Sequence, residues 1–225
     1  MYAFVTGPLA WITFLVFSFG LIWRFIWYAR GLNWQADRVA YTEYAVYGVK
    51  GALRSIIAWL IPFGTHSWRF YPIFTVLVFV FHIGLLITPL FLLGHNLLLE
   101  ERWGFSLPAI PEALADILTV AMMVAGVFIL LRRIALSQVR ILTTPYDLLV
   151  LVIAIAPFFT GFLAHQQVGN YNFWLIAHIL SGEIMLMAIP FTKLSHFLLF
   201  FLSRAQLGMD FGIKRGGMKG RSMPW

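Results

Sequence analysis

Residues 70–99 form a run of thirty with no aspartate, glutamate, lysine or arginine. Crossing the hydrocarbon core of a bilayer takes roughly 20 apolar residues in a helix, so this run is long enough to span and too apolar for the surface of a water-soluble domain. The rest of the chain agrees. Of its 225 residues 61% are hydrophobic and 11% are charged, against about 25% charged in a soluble domain. The solvent of this chain is lipid. Backbone polar groups find no water there, and long runs without strand-like alternation satisfy them as helices and not as a barrel.

Long apolar runs with few charges place five spans near residues 4–27, 71–99, 108–131, 148–164 and 173–202. The predicted fold is all-α: an integral membrane bundle of five transmembrane helices over residues 1–203, then a basic, Gly-rich cytoplasmic tail over residues 204–225. The first span lacks a basic leader and a small-residue cleavage site, so it is expected to be retained. Basic residues gather in the first loop (Arg24, Arg30, Arg38, Lys50, Arg54, Arg69), in the third (Arg132, Arg133, Arg140) and in the tail. The positive-inside rule then puts the N-terminus outside and the C-terminus in the cytoplasm, in a multi-pass protein of the cell inner membrane. The net charge of +7 is explained by topology and calls for no nucleic acid. Residues 55–63 (SIIAWLIPF) are too few to span and are expected in the cytoplasmic interface as an amphipathic or re-entrant segment. The tail is expected to extend over lipid head groups or a partner.

The chain has no cysteine, which excludes disulfides, Cys-ligated zinc and iron–sulfur clusters bound by this chain alone. Any metal falls to histidine or carboxylate. Four of the six histidines lie inside predicted spans: His82 and His95 on the second, His178 and His196 on the fifth. Ionisable groups at that depth are costly and mark function by default, and neutral imidazole is a haem-iron ligand that brings no charge. His178 and His196 are eighteen residues apart, which on one continuous helix returns both to one face roughly 27 Å apart. The two spans are antiparallel, so His95 is expected to meet His178 near the outer surface and His82 to meet His196 deeper in. His82 and His95 are thirteen residues apart and out of phase on a straight helix; Pro89 between them is positioned to kink it. The plain alternative is that all four only hydrogen-bond between helices. Gly84, Gly94 and Gly182 flank the four and would let a flat macrocycle approach.

The strings Phe81-His82-Ile83-Gly84 and Gly94-His95, the run from Leu131-Arg132-Arg133 through Val139-Arg140 and Thr143-Thr144 to Asp147, His178, and Pro190-Phe191-Thr192-Lys193-Leu194-Ser195-His196 extend over nearly the whole chain. In these the chain resembles the gamma subunit of respiratory nitrate reductase and its relatives, the cytochrome b subunits of respiratory complexes in sulfate-reducing bacteria. Its length and opening MYAFVTGPLAW look most similar to the cytochrome b subunit of the Hmc-type (high-molecular-weight cytochrome c) transmembrane complex. The resemblance implies two haem b (heme b) cofactors, the cytoplasm-side one held by His82 and His196 and the outer one by His95 and His178. It implies a di-haem electron-transfer subunit of a larger oxidoreductase. The partners implied are a periplasmic multihaem cytochrome c, a cytoplasmic iron–sulfur (ferredoxin-like) subunit and other integral membrane subunits. A quinol-oxidising gamma subunit, with menaquinone as a further ligand, and a haem-free membrane anchor are the rival readings. No lysine occurs from Gly51 to Thr192, so a quinone-site lysine of the nitrate reductase subfamily has no counterpart.

Other polar residues are weighed singly. Glu183, inside the fifth span, suits proton uptake or quinone contact, or else a protonated carboxyl bonded to a neighbour. His165 is expected at the outer surface, where it would touch a quinone or a haem propionate if functional; His66 lies in a cytoplasmic loop. Arg54, Arg69, Arg132, Arg133 and Lys193 are on the correct side for the inner propionates. The glycines around Lys219 lack P-loop spacing, and no Ser/His/Asp set or carboxylate pair suggests catalysis.

Overall fold

A computed structural model describes residues 1–32 and 45–214. The expectations that concern Arg38 and residues 215–225 lie outside the described residues. Within them every regular element is helical: α1 (Tyr2–Gly31), α2 (Ala45–Leu60), α3 (His66–Phe70), α4 (Pro72–Phe91), α5 (Leu93–Trp103), α6 (Glu112–Ala135), α7 (Ser137–Arg140), α8 (Pro145–His165), α9 (Tyr171–Ala188) and α10 (His196–Lys214). α1, α4, α6 and α8 are each long and apolar enough to cross a bilayer. α9 and the segment Lys193–Phe211 pass the same test together but are bent by 71°, which gives four apolar spans, or five if the bent pair counts as one. The chain is thus an all-helical, multi-pass membrane protein of the kind found in inner membranes.

Two of the expected spans are broken. In the second, α4 ends at Phe91, Leu92 is extended (ψ 132°) and α5 begins at Leu93. Pro89 lacks a helical N–H and crowds the turn before it. Ending a helix orphans its last carbonyls, and here each finds a donor. Pro89 O accepts from His95 Nδ1 (2.9 Å), Leu90 O from Asn96 Nδ2 (3.1 Å) and Phe91 O from the Ile110 N–H (2.9 Å). The break is a fully bonded joint.

In the fifth, α9 stops at Ala188, the chain turns through Pro190, and a new helical start forms at Thr192, whose hydroxyl accepts from the Leu194 N–H at 3.2 Å. The expectation that His178 and His196 share one face of one helix is therefore corrected. A proline and a side-chain cap lie between them, and an eighteen-residue phase argument does not survive a 71° bend.

The chain forms two compact units, Met1–Ala10 with Val76–Met185, and Trp11–Thr75 with Leu186–Trp225. In the first, small residues let helices approach closely. A Cβ on Gly84 of α4 would lie 2.5 Å from Met122 Cβ of α6, and one on Gly126 would lie 2.7 Å from Ile155 Cδ1 of α8. α8 opens with a capping box: Thr144 Oγ1 accepts from the Asp147 N–H, and Asp147 Oδ2 accepts from the Thr144 N–H. The threonine–aspartate part of the family-like string is thus a helix start.

In the second unit Gly48, Gly51, Ala52 and Ser55 form the buried stripe of α2. Gly208 of α10 packs so tightly on Gly51 and Ala52 that no side-chain carbon fits there. Of residues 55–63, expected as a short interfacial segment, 55–60 are the end of this sixteen-residue helix and 61–63 form the turn after it. At about 1.5 Å per residue it is shorter than a bilayer core. α10 continues past Arg204 to Lys214, so the stretch expected as an extended tail begins as helix. The Arg204 guanidinium lies 4.8 Å over the Trp59 ring of α2.

Candidate functional site

In the first unit, the α4–α5 joint turns His95 back toward its own backbone, and Gly161 of α8 makes room for His178 of α9. A Cβ on Gly161 would sit 2.7 Å from His178 Nδ1. The two imidazoles face each other with centroids 5.8 Å apart and planes within 5° of parallel. Each is anchored at Nδ1 by a backbone carbonyl: His95 by Pro89 O at 2.9 Å, His178 by Pro157 O at 2.8 Å. Ser181 Oγ donates to His178 O (3.0 Å) and pairs with Thr160 Oγ1 (3.1 Å), bracing the turn that carries the ring.

His82 and His196 repeat the anchoring. His82 Nδ1 donates to Val78 O in its own helix at 2.8 Å, and His196 Nδ1 donates to Lys193 O at 2.9 Å. A carbonyl can only accept, so in all four hydrogen bonds Nδ1 is the donor, which in a neutral ring leaves Nε2 as the acceptor. Metal-binding histidines are held in this way, the far nitrogen fixed by a carbonyl and the near one presented to the metal. His95 and His178 are brought together. His82 belongs to the same unit and His196 to the second.

The donor set decides which metal group fits. Among the described residues no three His, Asp or Glu side chains converge, so a protein-only zinc or iron site of three or four ligands has no basis here. A macrocycle that supplies its own four nitrogens needs only two axial imidazoles. A Cβ at Gly182, one turn after His178, or at Gly94, beside His95, meets no atom within 4 Å. That surface admits a flat group. Gly84, read as a third such glycine, serves the α4–α6 contact instead.

A second feature lies between α6 and α8. An open groove of about 480 Å³ is floored by apolar residues including Val120, Val124 and Phe162, with Asp116 and Gln166 at one end. His165 Nε2 stands 3.5 Å from Asp116 Oδ1. His66 stacks on Phe70 with no metal-binding arrangement around it. Glu183 is only 6% exposed, and neither of its carboxyl oxygens has a hydrogen-bond partner among the described residues. Pro157, Gly161, Asn96 and Ser181 escaped the sequence reading, and Pro89 entered it only as a kink. The tie between them and the histidines runs through backbone carbonyls and close packing, which leave no residue-type signature.

A protein of the bacterium Nitratidesulfovibrio vulgaris (strain Hildenborough) is 58% identical to this chain over 226 residues, an alignment that covers the whole of both. No family model and no solved structure matches the chain.

Proposed function

We propose that this chain, which belongs to the same family as the Nitratidesulfovibrio vulgaris protein, is a di-haem cytochrome b subunit of a respiratory redox complex in the inner membrane. It has five spans, with the N-terminus outside and the bent pair counted as one. His95 and His178 hold the outer haem b, His82 and His196 the cytoplasm-side one. The subunit conducts electrons between a periplasmic multihaem cytochrome c, or the quinone pool, and a cytoplasmic iron–sulfur partner. Other membrane subunits cover its apolar flanks.

The observation that carries this reading is the facing pair His95 and His178, each with Nδ1 donated to a carbonyl. Held by two imidazoles, a haem supplies reversible one-electron chemistry with no coordination position open to substrate. The chain's own residues do the positioning. Pro89 O and Pro157 O fix tautomer and ring direction, Ser181 and Thr160 brace the helix turn, and Gly161 sets how deep the His178 ring sits. None of these groups needs to move when one electron arrives, which suits outer-sphere transfer.

The purified full-length chain is expected to give a b-type reduced-minus-oxidised spectrum with two haems per polypeptide. A colourless chain after expression with ample haem would leave the membrane-anchor reading in its place. Gly161→Ala is a finer test. The new methyl meets the His178 ring, so the outer haem should be lost or its potential changed while the chain still folds. An unaltered redox titration in that variant would count against the His178 assignment.

The groove between α6 and α8 favours one second reading, a quinone site with Asp116 and His165 at its polar end. A menaquinol analogue that shifts the spectrum of one haem in the wild type, but not in Asp116→Asn, would support it.

A further inference from the structure

Three residues of α1 meet the broken segment that leads into α10. Gly20 lies so near Pro190 that a Cβ would stand 2.6 Å from its Cγ, the Trp23 ring is 6.3 Å from that of Phe191, and Arg24 Nη2 donates to Ser195 Oγ at 3.4 Å. Spaced at i, i+3 and i+4, they are one helix face. Ser195 is 2% exposed and immediately precedes His196. The contact therefore brings a guanidinium to the residue beside the inner ligand.

That guanidinium is held from several sides. Its Cζ lies 4.8 Å over the Trp27 ring, and one Nη is on Ser195, yet its Nε is buried and has no hydrogen-bond partner among the described residues. A buried donor on a permanently charged group calls for an acceptor. The acceptor that best matches the planar donor fork is a carboxylate, taken through paired, charge-assisted bonds. Haem b carries two carboxylate side chains on one edge.

We propose that Arg24 binds a propionate carboxylate of the haem ligated by His196 and raises that haem's reduction potential. This rests on the ligand assignment made above. Of the arginines that sequence singled out for the task, Arg69 already spends its Nε on Thr65 O at 3.3 Å. A fixed cation beside the macrocycle favours the state with one more electron. Removing that cation makes the potential more negative.

The test uses the purified full-length chain as wild type, Arg24→Gln, Arg24→Lys and His196→Ala, with haem per polypeptide and the midpoint potential of each haem as readouts. Arg24→Gln should lower the potential of one haem, or lose that haem, and it should be the haem that His196→Ala removes. Arg24→Lys keeps the charge and should recover most of the shift. Unchanged occupancy and potentials in Arg24→Gln would overturn the proposal. So would equal shifts in the Gln and Lys variants, which lost packing on Trp27 and Ser195 would give, or a shift confined to the haem that survives His196→Ala. A wild-type chain without haem would instead remove the ligand assignment, and this inference with it.

Discussion

His178→Ala is expected to remove one haem per polypeptide and leave the other with its spectrum and potential little changed. On the proposed assignment the imidazole would supply an iron bond that no nearby His, Asp or Glu can replace, since among the described residues no third such group stands by the pair. The protein should survive the change. Pro157 O loses the ring N–H but still accepts from Thr160 Oγ1 at 3.2 Å, so the cost in stability is about 1–2 kcal/mol for one lost hydrogen bond and some packing. Haem quantification with a melting curve separates the two effects. Two haems retained per chain would show that His178 is no ligand.

Asn96→Leu should be the most damaging change outside the ligands. Asn96 is 2% exposed. Its amide donates to Leu90 O and Leu92 O, and its oxygen accepts from the Leu107 N–H at 2.8 Å. Leucine has similar volume and none of these groups. Leu92 O keeps the Asn96 backbone N–H, but Leu90 O and the Leu107 N–H are left without their partner. At about 1–3 kcal/mol for each polar group left without its partner, the loss is about 2–6 kcal/mol. It falls on the joint that aims His95, one residue away. A lower melting temperature, faster amide exchange at Leu107 and a depleted outer haem are the expected results. Wild-type values for all three would mean that the joint does not depend on this side chain.

The apolar spans could be read from sequence because lipid leaves a chain so few choices: uncharged runs of sufficient length become helices. Pairing of His95 with His178 followed from antiparallel neighbours, and the described rings do face each other at 5.8 Å. The helix breaks were only half readable. Pro89 announced a kink, but the extended Leu92 depends on Asn96, His95 and Ile110 arriving to take up the freed carbonyls, a three-way agreement that no periodicity encodes. Pro190 was passed over as a break because residues 173–202 were read as one span, although Thr192 is there to start a new helix. Arg24 was counted among the charges that set orientation, for its partner lies 171 positions away.

The bend between α9 and α10 has a mechanical side. On a single rigid rod, any tilt that re-aimed one of the two imidazoles would drag the other with it. With the rod cut at Pro190, His178 takes its bearing from Pro157 and His196 from Lys193, so a substitution can re-aim one ring and leave the other where it is.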